Sequence, residues 1–247
     1  MNLALTHTRF LFLETVRVPI AVIGTMMFPA LSLLFFVIPQ GAVADNPVFA
    51  TAATAQLSLF AVISVCLFTF GVGVSEDRST PWDPYVRTLP AGVAPRMVGR
   101  MLNGTLFSLL GVLPVVLLAA LLTAATVSVT DLLVGVLALV AAGLPFLGIG
   151  LAMGYSLPVK ASVPVAQVVL FPMAFGGGLF LPPQVFPDWL NSISVLLPSR
   201  AGRDLVVGVV TGTDVPARAV VVLLIWAVAT ALLAAWAYRR DEGRRFH

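Results

Sequence analysis

The chain has 247 residues, 59% of them hydrophobic and only 10% charged, with a mean hydropathy of +1.02. Soluble domains carry about 25% charged residues, so an ordinary soluble fold is excluded. Eleven acidic and fourteen basic residues leave a formal net charge of +3, and what matters is which loops hold the excess. The single cysteine, Cys66, rules out an intrachain disulfide and any CxxC redox or zinc pattern.

The opening segment, residues 1–18, places Thr6, His7, Glu14 and Arg17 on one side of a helical wheel and is too charged to cross a membrane. An imperfectly amphipathic helix lying in the interface is expected, before the chain turns in at Pro19. The plainer alternative is a helical extension of the first span. Glu14 and Arg17, three positions apart, are expected to pair on its wet face.

Beyond this helix, intervals free of Asp, Glu, Lys and Arg run 18–44, 46–75, 101–130, 132–159, 161–187 and 219–238. A charge at the bilayer centre costs a few kcal/mol and a crossing helix needs about 20 mainly apolar residues, so each interval crosses once. The spans are expected near 19–39, 52–74, 99–122, 133–156, 163–181 and 217–238. A β-barrel would instead alternate polar and apolar residues over about ten positions. Arg9 and Arg17 ahead of an apolar run ending at Ala42-Val43-Ala44 have the form of a signal peptide. That run extends for about 21 residues where a signal core has about 7 to 15, so a retained first span is the better reading.

With both termini inside, the inner segments hold Arg9, Arg17, Arg78, Arg87, Arg96, Arg100, Lys160, Arg239, Arg240, Arg244 and Arg245, and the outer ones only Arg200, Arg203 and Arg218. This is a positive-inside bias. It puts both termini, including the tail 239–247, in the cytoplasm of a multi-pass protein.

The longest inner loop, 76–98, collects Pro81, Pro84, Pro90 and Pro95 with Glu76, Asp77, Asp83, Arg78, Arg87 and Arg96, and carries Trp82 and Tyr85 among them. That mixture suits a contact surface, with a short helix from about Pro81 to Leu89, since Pro is tolerated at a first helical position. A plain positive-inside loop anchored by interfacial aromatics is the alternative.

On the outer side, 182–214 follows a stretch where Pro172 and Gly176-Gly177-Gly178 let the fifth span bend or unwind. Phe186, Trp189, Leu190, Ile193 and Leu197 then recur at helical steps, with Asp188 in the first turn and Pro198 ending the helix. A second piece, Ser199 to Val210, carries Arg200, Arg203 and Asp204 on one stripe. Two helices too short to cross are expected to form a re-entrant hairpin or an interfacial pair. The expected fold is therefore an all-α polytopic membrane protein in one domain, 1–247: an N-terminal interfacial helix, six transmembrane helices, and a short outer re-entrant hairpin before the last span.

Much chemistry is absent. No GxxxxGK[ST] loop occurs, so the chain has no ATPase site of its own. Gly148, Gly150 and Gly154 match a dinucleotide fingerprint only by count, and Gly150 with Gly154 reads as a GxxxG helix-packing pair. His7 and His247 lie at the chain ends, so no Ser-His dyad or HExxH motif forms. No catalytic residue, resident cofactor or metal site is expected, and no nucleic-acid partner. No carboxylate falls within an expected span, which disfavours an ion-coupled carrier.

The order of interfacial helix, six spans, inner loop and outer hairpin resembles the type-2 ABC exporter permeases, membrane subunits that pair with a separate ATP-binding-cassette ATPase. Three stretches carry the resemblance: Glu76-Asp77-Arg78; Tyr85-Val86-Arg87-Thr88-Leu89-Pro90; and Phe186-Pro187-Asp188-Trp189-Leu190 with Leu197-Pro198 and Arg203-Asp204-Leu205. The chain departs from the family pattern at Asp77-Arg78, where many members have Glu-Arg followed by Gly-Thr, and by the extra Leu89.

The resemblance implies a dimer of six-span subunits, two copies or two related permeases, with an ATPase bound to each and ATP and Mg held there. Glu76, Asp77, Arg78, Trp82, Tyr85 and Arg87 would form the ATPase-coupling segment. Phe186, Trp189, Leu190, Arg200, Arg203 and Asp204 would form an outer gate. Gln56, Phe60, Thr69, Gln167, Phe171 and Phe175 would line a pathway in spans two and five suited to drug-like metabolites or lipids, although interhelical hydrogen bonds and lipid contact are alternative roles for those side chains. One lysine against thirteen arginines suits a high-GC bacterial genome, so the cytoplasmic membrane of a bacterium is the expected location. The rival readings are a self-contained secondary carrier or channel, and a non-transporting membrane anchor or sensor.

Overall fold

The fold is organised around one helix. In a computed structural model describing residues 3–17, 27–81 and 93–243, every regular element among the described residues is helical. Besides the single turns Gly41–Ala44 and Pro183–Val185, they are α1 (Leu3–Val16), α2 (Met27–Val37), α3 (Pro47–Ser79), α4 (Val93–Leu122), α5 (Val129–Ser156), α6 (Val159–Gly176), α7 (Asp188–Ser194), α8 (Pro198–Thr211) and α9 (Ala217–Gly243). Five of these are long and apolar enough to cross a membrane: α3, α4 from Val98, α5, α6, and α9 to Asp241. Of the expected first span, α2 is the described part, and 18–26 lie outside the described residues.

The helix starts follow from their caps. Asn46 accepts hydrogen bonds from Val48 N at 3.0 Å and Phe49 N at 3.2 Å, and Pro47 takes the first helical position, where a missing N–H costs nothing. Ser128 accepts from Asp131 N at 3.1 Å to start α5. Gly212 stops α8 in the left-handed region at φ 66°, which glycine adopts without a Cβ penalty. The fifth span is corrected at its end: α6 runs unbroken through Pro164 and Pro172, and the chain unwinds only from Gly177, well short of residue 181. There Gly178 has φ 77° and a Cβ on it would meet Pro183 at 2.7 Å. A second correction concerns Pro198, which opens α8 rather than ending α7.

Within its most apolar stretch α3 is 83% buried, against 17% for α9, so α3 is the shaft and the outer helices keep faces for lipid or a partner. Phe60, Leu59, Ile63 and Leu67 of α3 pack with Phe146 of α5 and Leu170 of α6 in the main core. Alpha5 closes on α3 through missing side chains: a Cβ on Gly150 would lie 2.3 Å from Cys66 O, and one on Gly154 would lie 2.5 Å from Phe70 O. This is the close packing expected of the GxxxG pair. Gly148 faces the other way, against Thr230 of α9. Opposite this contact, Phe68–Val72 of α3 is π-helical, a local widening common at functional sites.

Contacts at the helix ends show the alternation of the chain. At one end Ala124 N donates to Ala44 O at 2.7 Å and Thr51 Oγ1 to Thr126 O at 3.0 Å. At the other, the last turn of α3 meets the start of α4, the end of α5, the start of α6 and the end of α9. Among the described residues, the second end holds Arg78, Arg100, Lys160, Arg239 and Arg240, basic residues expected inside. Alpha1 packs against α4 there, through Thr8 Oγ1 donating to Gly99 O at 3.3 Å and the Phe12 and Phe107 rings 5.3 Å apart. Leu5, Phe10 and Leu13 on α1 stay uncovered. Glu14 and Arg17 are exposed, and no ion pair joins them.

Candidate functional site

Three groupings of side chains lie along α3. One, at the end expected to face inside, is built from Glu76-Asp77-Arg78. Glu76 is exposed, Asp77 pairs with Arg100 at the start of α4, and Arg78 turns inward. Its Nη1 donates to Gly154 O at 2.6 Å and to Leu157 O at 3.4 Å, and Nη2 pairs with Asp241 of α9. A turn earlier, Ser75 Oγ donates to Ser162 Oγ of α6 at 3.1 Å. Trp82, Tyr85 and Arg87, the other expected coupling residues, lie outside the described residues.

The grouping toward the opposite end, expected outside, is a buried ionic cluster. Arg200 Nε donates to both carboxylate oxygens of Asp204 at 3.0 Å, and Arg203 Nη1 donates to Asp204 Oδ1 at 3.0 Å. Arg200 Nη1 reaches Ser194 Oγ at 3.4 Å, and Ser194 Oγ donates to Gly176 O at 2.6 Å, tying α7 and α8 to the end of α6. Gln56 completes the cluster from α3: with its carbonyl oxygen facing Arg203 it accepts from Nη2 at 2.9 Å and Nε at 3.2 Å, an orientation assigned from the donors around it. Burial pulls the Arg203 guanidinium below the ordinary arginine value, the hydrogen bond and charge of Asp204 push it back up, and the charge of Arg200 pulls it down. Arginine remains a cation throughout.

The expected gate residues therefore divide in two. Arg200, Arg203 and Asp204 are internal and paired. Phe186 and Leu190 are half-buried, and Trp189 is 66% exposed. The apolar face of α7 looks away from the bundle. Alpha8 is deeply seated, since Gly202 lies against Ala142 of α5 and Leu59 of α3, far along both helices.

Between the two polar groupings lies an aromatic cluster. Phe60 is fully buried and its ring stands 4.9 Å from Phe180 and 5.6 Å from Phe28. Phe175 is 5.0 Å from Phe180, and Phe28 is 6.2 Å from Phe171. The structure thus brings together Phe60, Phe171 and Phe175 of the expected pathway and adds Phe28 and Phe180, which sequence reasoning missed. Gln56 is engaged with Arg203, Thr69 is half-buried in the π segment, and Gln167 is exposed on α6. An apolar cavity of about 120 Å³ lies elsewhere, between α3, α4, α5 and α8, bordered by Ser58, Val116, Leu139 and Val206. It shares no residue with that pathway. Asp241 was missed as well, although an acid following Arg239 and Arg240 in a basic tail is a visible anomaly.

The chain is similar to “Putative transport permease YvfS” of Bacillus subtilis (strain 168): the two are 23% identical over 187 residues, covering 76% of each. No family model matches the chain. The similarity is consistent with the resemblance to the type-2 ABC exporter permeases. Together with the five apolar helices, it supports a multi-pass membrane transport permease, a transport subunit rather than an enzyme.

Proposed function

We propose that this chain is the membrane subunit of an ATP-binding-cassette exporter in a bacterial cytoplasmic membrane, with both termini cytoplasmic. It moves a hydrophobic or amphipathic compound, a drug-like metabolite or a lipid, outward from the cytoplasm or inner leaflet. A separate ATPase subunit carrying ATP and Mg supplies the energy, and two permease subunits, identical or related, form the membrane unit. The observation that carries this reading is the similarity to a transport permease along three quarters of both chains, in a sequence without a phosphate-binding loop.

The geometry supports the division of labour. The loop 76–98 leaves α3 at a turn tied to α4, α5, α6 and α9, so force applied there reaches the bundle rather than one helix. Trp82, Tyr85 and Arg87 are the proposed ATPase contacts, aromatic anchors and a cation being frequent at protein interfaces. The α7–α8 hairpin, read as re-entrant, closes the outer exit, and the cluster of Phe60, Phe171, Phe175 and Phe180 offers cargo an apolar route.

Co-expression with a candidate ATP-binding-cassette ATPase tests the proposal. The expected result is a stable complex whose ATP hydrolysis responds to transported compounds, and loses that response when Tyr85 and Arg87 are both changed to Ala. Flux through vesicles holding this chain alone, without ATP or a bound ATPase, would establish a secondary carrier instead.

A further inference from the structure

Arg78 sits one residue from the end of α3 with an 18% exposed side chain, and its partner Asp241 is only 4% exposed. Two charges withdrawn from water in this way add little net stability, because desolvation offsets their attraction. The arrangement therefore specifies geometry more than it adds energy. The last carbonyls of a helix have no partner within it, and Arg78 Nη1 occupies two of them on α5, Gly154 O and Leu157 O, while Nη2 holds Asp241 of α9. A planar guanidinium makes these bonds in fixed directions, which an ammonium group cannot do.

The surroundings reinforce the same joint. A Cβ on Gly154 would lie 2.6 Å from Val74 Cβ, so α3 and α5 touch backbone to side chain beside the ion pair. Tyr155 of α5 and Tyr238 of α9 meet edge to face at 5.1 Å. Three helices thus converge on one side chain at the point where the inner loop begins.

We infer that Arg78 is a positioning residue: through Asp241 and the α5 carbonyls it clamps the root of the inner loop to α5 and α9, so that displacement of the loop moves α3, α5 and α9 as one body. The consequence for transport rests on the ATPase-driven reading above. The clamp itself does not.

Two measurements separate the two ideas. In the purified chain alone, with Cys66→Ser, spin labels at Ser79→Cys and Arg239→Cys report the separation of the α3 and α9 ends. One narrow distance population is expected. Arg78→Gln or Asp241→Asn alone broadens it, and the two together, a neutral pair able to hydrogen-bond, narrow it again, because residues in contact are non-additive. Arg78→Lys falls between, keeping the charge but not the fork; it also serves if Arg78→Gln is not recovered folded. In the complex with its ATPase, each single substitution reduces the compound-stimulated part of ATP hydrolysis about tenfold, a usual size for coupling between sites, and the double substitution recovers part of it. Unchanged label distances in the single variants, or a double variant broader than either, overturn the clamp. Distances that respond as expected in a chain that binds no ATPase leave the clamp standing and overturn the exporter reading.

Discussion

Two guanidinium groups share one carboxylate in the first turns of α8, where the helix dipole already disfavours cations. The arrangement holds because Gln56, Asn191 and Ser194 supply acceptors from α3 and α7. Asp204→Asn removes the carboxylate that pairs with Arg200 and Arg203 and leaves two like charges buried; a loss of about 3–5 kcal/mol is expected. Gln56→Leu removes the acceptor that Arg203 Nη2 and Nε share, and about 1–3 kcal/mol should follow. Thermal unfolding of the detergent-purified chain measures both, and equal midpoints for the two variants would show that the carboxylate is not the keystone. The spacing of Arg200, Arg203 and Asp204 was legible as a stripe. Its partner Gln56 was not, because a glutamine in an apolar span looks alike whether it faces cargo or an arginine.

At the scale of elements, the π segment Phe68–Val72 separates the core portion of α3 from its inner turn. A π-bulge accommodates one extra residue in an α-helix. Deleting Thr69 should restore a continuous α-helix with both flanks in register, and the chain should still fold. Deleting Ile63, within regular helix, turns everything beyond it by about 100°, and Arg78 leaves Gly154 and Asp241. The expected outcome is a monodisperse Thr69 deletion and an aggregated Ile63 deletion on size-exclusion chromatography. Helix existence was legible from charge-free intervals, and the close approach of α5 from its glycines. Neither the π segment nor the extension of α3 to Pro47 and Ser79 was, since backbone register changes leave the hydrophobic pattern almost untouched. The turn chemistry of Pro198 was misread because proline stops one helix and starts another with equal ease.

For the whole molecule, the helix ends sort into one group rich in basic residues and one holding Arg200, Arg203 and Arg218. Cysteine labelling tests the orientation: with Cys66→Ser, an impermeant maleimide should label Ser192→Cys in intact cells and Ser79→Cys only after permeabilisation. Both positions are exposed, so a reversed pattern would invert the topology.

The sequence by itself determined that this chain is a multi-pass membrane protein of long apolar helices, because hydrophobicity acts on each segment against the bilayer one at a time; the side of each loop is an expectation drawn from its basic residues. Only the tertiary structure decided that α3 is the central shaft, that Arg78 meets Asp241 and Arg203 meets Gln56, and that the scattered phenylalanines form one cluster. Such pairings depend on distances between segments far apart in the chain, and those distances are set by how the helices pack.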